Sequence, residues 1–168
     1  MVHQAFTISP VRTPGEVKEA ITLFYAYADS LGFDLAFQNF DAEMAGMPGK
    51  YSPPTGELLL ARDTKGLPIG CVGLRPLPSV DANARICEMK RLYVTPSGRG
   101  TGVGKALASE IIAAARRLNY SEMRLDTLSS MVAALRMYRA FGFEEIPAYY
   151  DTPLAGTHFL ALELKTES

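Results

Sequence analysis

Leu92-Tyr93-Val94-Thr95-Pro96-Ser97-Gly98-Arg99-Gly100-Thr101-Gly102-Val103-Gly104-Lys105 reads as the end of a strand, a glycine-rich turn and the start of a helix. The first turn of a helix leaves backbone N–H groups without partners, and the macrodipole places partial positive charge there. Anions are favoured at such an end. Gly100, Gly102 and Gly104 keep side chains away from those amides, and Arg99 and Lys105 add formal charge on either side. Behind the turn, Val103, Leu107, Ile111, Ala114 and Leu118 recur at three- and four-residue steps and predict one buried stripe. The segment therefore predicts a well-anchored helix that presents a phosphate cradle at its N-terminus.

Spacing separates the known cradles. A nucleotide P-loop needs G-x-x-x-x-G-K-[ST]; with Gly104-Lys105 as its end, Arg99 stands at the first glycine and Ala106 lacks the hydroxyl that would hold Mg²⁺. The dinucleotide fingerprint G-x-G-x-x-G meets Val103 or Lys105 at its third glycine, depending on where it starts. What remains is Arg99-x-x-Gly102-x-Gly104, which resembles the [RQ]-x-x-G-x-[GA] turn of the GNAT-type N-acetyltransferases. Downstream, Ala134-Leu135-Arg136-Met137-Tyr138-Arg139-Ala140-Phe141-Gly142-Phe143 is similar to that family's A-x-x-x-Y-x-x-x-G-F segment, with Gly142 where a helix commonly ends. The two motifs cover roughly residues 84–164, and the residues before 50 carry little that is diagnostic.

The resemblance implies an α/β (α+β) fold: a single GNAT-like domain over residues 1–168, with a mixed central sheet, splayed parallel strands and flanking helices. The pattern along the chain agrees. Strands are predicted at Phe6 to Ser9, Glu57 to Arg62, Leu67 to Leu74, Arg85 to Val94, around Leu125 to Thr127, at Phe143 to Tyr149 and at Thr157 to Leu164. Helices are predicted from Thr13-Pro14 toward Leu31, around Asp41 to Ala45, behind the glycine turn, and from about Met131 to Phe141, where Ser129-Ser130 supply a cap.

Composition bounds the function. A chain of 168 residues that is 48% hydrophobic supports one domain with a proper core, and a net charge of −1 makes no electrostatic case for nucleic acid or a membrane surface. No stretch reads as a transmembrane span or a signal peptide, so the expected location is the cytoplasm. Cys71 and Cys87 lie in apolar strand-like runs and read as small buried hydrophobes. His3 and His158 have no nearby acid, serine or cysteine motif, so structural roles are expected and no metal site is seen.

The resemblance also implies a cosubstrate, acetyl-CoA, and a reaction, acyl transfer from its thioester to a primary amine. It implies that the backbone of Leu92, Tyr93 and Val94 pairs with the pantetheine arm, that Arg99, Gly100, Thr101, Gly102, Val103, Gly104 and Lys105 hold the pyrophosphate, and that an N–H near Val94 polarises the thioester carbonyl. Glu88 is the candidate general base, against the plainer reading of an ion pair with Lys90, Arg91 or Arg85. Tyr138 is the candidate general acid, against an ordinary core tyrosine. Many family members carry asparagine at the position of Met131, so Ser129, Ser130 or backbone contacts are expected to serve the cofactor there.

The acceptor is expected between Asp34 to Tyr51 and Tyr149 to Gly156. There Asp34, Asp41, Glu43 and Asp151 are candidates to attract an amine, and Phe37, Phe40, Tyr149 and Tyr150 to wall a pocket. The lack of an added recognition domain favours a small-molecule amine over a protein. A non-catalytic acetyl-CoA-binding module is the alternative, with Met131 its one supporting feature, and a nucleotide-binding role is a third reading. A sheet edge or the C-terminal strand offers a surface for a homodimer, and the sequence does not decide that state.

Overall fold

The computed structural model describes residues 5–164, apart from the side chain of Phe37; His3 and that side chain lie outside the description. Strand β1 (Phe6–Pro10) leads into helix α1 (Pro14–Ser30). The helix starts where the sequence predicts, because Thr13 and Glu16 form a reciprocal capping box and Pro14 fits the first turn. A short helix α2 (Phe40–Ala45) follows, then β2 (Glu57–Asp63), β3 (Pro68–Leu77) and β4 (Ile86–Val94). Helix α3 (Val103–Arg117), β5 (Glu122–Leu128), α4 (Val132–Phe141), β6 (Glu144–Glu145) and β7 (Thr157–Glu163) complete the chain.

The seven strands form one mixed sheet in the order β1-β2-β3-β4-β5-β7-β6. All neighbours are antiparallel except β4 and β5, which are parallel and joined through α3. That parallel pair is short, running only from Ile86 opposite Glu122 to Glu88 opposite Arg124. Beyond it the two strands part, and the sheet opens into a wedge.

Strand alternation distributes the core on both faces. Leu59 and Ala61 pack with α3 on one face, while Leu58 and Leu60 pack with Phe24, Phe40 and Tyr51 on the other. Helix α3 buries Val103, Leu107, Ala108, Ile111 and Ala114, the predicted stripe in all but Leu118, which is half-buried. It lies close on β3: a Cβ at Gly70 would come within 2.9 Å of Leu107, so glycine sets the approach. Cys71 and Cys87 are buried free thiols, as their apolar runs suggested.

The predicted strand from Phe143 to Tyr149 is much shorter. Only Glu144–Glu145 pair with β7, and Ile146 adds one more bond to Phe159. Pro147 has no N–H to continue the ladder, and Tyr149 and Tyr150 turn their hydroxyls to Glu88 and Asp126 instead. Conversely, β3 runs on past Leu74 to Leu77 because Arg75 to Leu77 pair with Ile86 to Glu88.

Because α3 seats the glycine turn, its packing has a measurable weight. Leu107 is fully buried, so Leu107→Ala is expected to lower stability by about 3 kcal/mol. Urea unfolding followed by circular dichroism checks this as a fall in midpoint at unchanged slope.

Candidate active site

The wedge between β4 and β5 holds a cavity of about 660 Å³. Met89 to Val94 of β4 and Leu125 to Leu128 of β5 form its sides. At one end are Arg99 and Gly104 of the glycine turn, with Ser130 to Ala134, Met137 and Tyr138 of the α4 region. At the other are Tyr27, Leu31, Phe33, Leu35 and Gln38, faced by Tyr150 and Leu154. One continuous space thus joins the helix N-terminus to the charged face of the sheet.

The glycine turn has the properties of an anion cradle. Gly102 is the N-cap residue of α3 at φ +85°, and no side chain caps the helix, so its first-turn amides stay free of side-chain acceptors. Gly100 also takes a positive φ of 78°, and at both glycines the space where a Cβ would stand is open. The turn is braced from behind: the Thr101 hydroxyl donates to the Gly98 carbonyl at 2.5 Å, and Arg99 Nε to the Val94 carbonyl at 3.3 Å. Lys105 is exposed beside the turn.

Strand β4 changes character at a bulge. Cys71 pairs with Tyr93 and Gly73 with Lys90, so Arg91 and Leu92 together oppose Val72. Arg91 takes a left-handed φ of 60° to do so. Leu92 and Val94 contribute side chains to the α3-side core.

Tyr138, on α4, is buried and packs edge-on against Phe143 at 5.8 Å. Among the described residues nothing bonds its hydroxyl, which opens onto the cavity. Burial pushes its pKa well above the ordinary 10, with smaller upward contributions from Tyr27 and Asp126. Its hydroxyl is therefore held in the protonated form. Met131 occupies the N-cap position of α4 and its sulfur accepts from Thr127 at 3.5 Å, while Ser130 lines the cavity and Ser129 packs against Gly156.

Glu88 stands differently from Tyr138. It is 1% exposed and does not line the cavity; Arg75 Nε donates to it at 2.8 Å and the Tyr149 hydroxyl at 2.6 Å. The carboxylate in the cavity wall is Asp126 of β5, which accepts the Tyr150 hydroxyl and has Lys90 Nζ 4.0 Å away. Sequence reading did not single it out. The signal was present as alternation, since Met123, Leu125 and Thr127 are buried on one face of β5 and Arg124 and Asp126 turn to the other.

The remaining acceptor candidates divide. Glu43 pairs with Arg91 at 3.1 Å and accepts from the Tyr51 hydroxyl at 3.2 Å, while Phe40 is buried beneath the Arg91 guanidinium. Asp34 accepts the Ala36 amide, and Asp41 and Asp151 are exposed. His158 lies on the far strand β7, bonded to Glu145 at 2.6 Å. Among the described residues no cluster of potential ligands suits a metal ion, and no helix is long and apolar enough to cross a membrane.

Comparison with known proteins agrees with this architecture. Residues 20–143 match the family model described as the acetyltransferase (GNAT) family. An uncharacterized N-acetyltransferase of Schizosaccharomyces pombe is 40% identical, over 94% of each chain. In fold, the chain is similar to an acetyltransferase of the GNAT family from Staphylococcus aureus, with a TM-score of 0.75 and 22% identity over 96% of this chain and 100% of the other. It is also similar to a chain of the NatC complex bound to Gag peptide and CoA, with a TM-score of 0.73 and 22% identity over 95% and 99%.

The open space at Gly102 gives a direct check of the cradle. Gly102→Asp sets a negative side chain against the amides and strains a positive φ, and is expected to weaken acetyl-CoA binding at least roughly tenfold. Calorimetric titration reads the affinity, with the melting temperature taken in parallel to score folding.

Proposed function

The chain belongs to the GNAT acetyltransferase family and is an acetyl-CoA-dependent N-acetyltransferase; from that premise we propose that it acetylates the primary amine of a small molecule, with Tyr138 and Asp126 handling the protons. The observation that carries this reading is that one cavity is lined by both Tyr138 and Asp126 and ends at the uncapped helix.

When bound, acetyl-CoA supplies an acyl group as a thioester. The residues present suit it. The amides at the start of α3, with Arg99 and Lys105 beside them, would hold its pyrophosphate, and Leu92, Tyr93 and Val94 line the wedge where the parted strands leave backbone groups without a strand partner. Ser130 faces the same space at the position where its neighbour Met131 cannot donate a hydrogen bond.

An ammonium has no lone pair with which to attack, so a proton must leave it first. Asp126 draws the cation and accepts that proton, which frees the nitrogen to form the new C–N bond. As the C–S bond breaks, Tyr138 donates its proton to the sulfur. Once the C–N bond has formed, the nitrogen sheds a second proton, which replaces the one Tyr138 gives to sulfur. The first proton leaves Asp126 for solvent, so amide, free thiol and one released proton balance the ammonium and the thioester. Glu88, the candidate base in the sequence, supports this arrangement from behind: it fixes Tyr149 and Arg75 beside the cavity.

The end of the cavity away from the glycine turn is walled by Phe33, Leu35 and Leu154, apolar side chains that suit a small acceptor.

Tyr138→Phe is expected to lower kcat by about 10²-fold while leaving acetyl-CoA affinity unaltered, as read by steady-state kinetics and calorimetry. Because the Tyr138 pKa is raised above 10, the wild-type kcat should show no falling limb up to about pH 10. Asp126→Asn is expected to lower kcat/KM by about 10²-fold in the same steady-state assay.

A further inference from the structure

The bulge in β4 has an effect beyond bending the strand. In regular pleating Lys90 and Arg91 would point to opposite faces. The left-handed turn at Arg91 sends both to the α1–α2 side, where Arg91 lies over the Phe40 ring and Lys90 reaches Gln38. Two adjacent cations therefore face one end of the cavity.

Their partners differ. Arg91 is ion-paired, with Glu43 on two of its nitrogens at 3.1 and 3.2 Å and Gln38 on a third at 2.8 Å. Lys90 is not. Its side chain is only 4% exposed, yet Nζ makes a single hydrogen bond, 3.3 Å long, to Gln38 Oε1, and Asp126 Oδ1 at 4.0 Å is beyond bonding reach. An ammonium carries three donors, and a buried charge is costly unless paired. Burial accordingly pushes the Lys90 pKa below its ordinary value, with Asp126 and Glu88 pulling it partly back. Lys90 and Asp126 both line the cavity, so an incoming molecule meets a cation with donors to spare next to an anion.

We propose that the acceptor is an α-amino acid or a close analogue, whose carboxylate is taken by Lys90 while its ammonium is taken by Asp126. The 4.0 Å between Nζ and Oδ1 suits a ligand whose ammonium and carboxylate are carried by one carbon, as they are in an α-amino acid. A simple amine leaves Lys90 as underpaired as before. A peptide N-terminus, whose adjacent carbonyl is an amide, brings no anion to it. The bond changes at nitrogen and sulfur are those already given, and the proposal rests on that acetyl-transfer reading.

The test presents acetyl-CoA with the standard L-amino acids and, beside each, the amine left when its carboxylate is removed. At least one amino acid is expected to be acetylated with kcat/KM roughly 50-fold above its decarboxylated partner. The corresponding N-acetyl amino acid should bind the CoA-loaded protein in calorimetry. In Lys90→Met the preference should collapse to near unity and that product binding should be lost, while Lys90→Arg keeps part of both; acetyl-CoA affinity serves as the folding control for each variant. Equal use of the decarboxylated amines, or an inert amino-acid panel on a protein that binds acetyl-CoA, overturns the amino-acid proposal and leaves the transferase standing. Failure to bind acetyl-CoA overturns both.

Discussion

Everything in this molecule depends on the parting of two parallel strands. β4 and β5 pair only from Ile86 to Glu88 against Glu122 to Arg124, and then separate. Backbone groups in a sheet are normally consumed by the ladder, so a place where neighbouring strands diverge exposes an extended backbone that a ligand can join. The bulge at Arg91 keeps β4 paired to β3 on one side while turning its edge toward the gap. The helix between the two strands starts at the mouth of that gap, with its amides unclaimed by any side chain. Its seat on β3 is fixed by the Leu107 contact at Gly70. Strand separation, helix dipole and cavity are thus one construction.

The second feature is the charge buried around that gap. Arg75, Lys90 and Arg91 face Glu43, Glu88 and Asp126, linked by Gln38 and by the hydroxyls of Tyr51, Tyr149 and Tyr150. A purely structural network of this kind is a poor source of stability, because desolvation offsets most of the attraction. Here the satisfied members, Arg91 and Glu88, hold the walls, and the less satisfied ones, Lys90 and Asp126, face the cavity. The proposed chemistry sits where the network is incomplete.

What could be read from the sequence was local. The helix start at Thr13-Pro14, the stripe on α3 up to Ala114, the glycine turn and the tyrosine on α4 each depend on residues within a few positions of one another, and each stands in the structure where periodicity and turn chemistry put it. The family motifs made the parallel pair and its splaying an expectation as well. The bulge was less legible, since arginine is an uncommon residue at positive φ, although the alternation of Ile86, Glu88 and Lys90 against Cys87 and Met89 stops there. Glu88 and Asp126 both face the α1–α2 side of the sheet, and nothing in their neighbouring residues tells which one is enclosed. That is decided by Arg75, Tyr149 and Tyr150, residues far from either in sequence. Tyr149 was placed in a strand that stops short, because its hydroxyl has a better partner in the site than its backbone has in the sheet.

If the wedge and the helix end behind it form one cofactor site, hydrogen exchange compared with and without acetyl-CoA should slow in two stretches, Leu92 to Lys105 and Leu125 to Tyr138. The outer strands β1 and β2 should be unchanged. Protection that falls elsewhere, or no change at saturating acetyl-CoA, would contradict a single cofactor site.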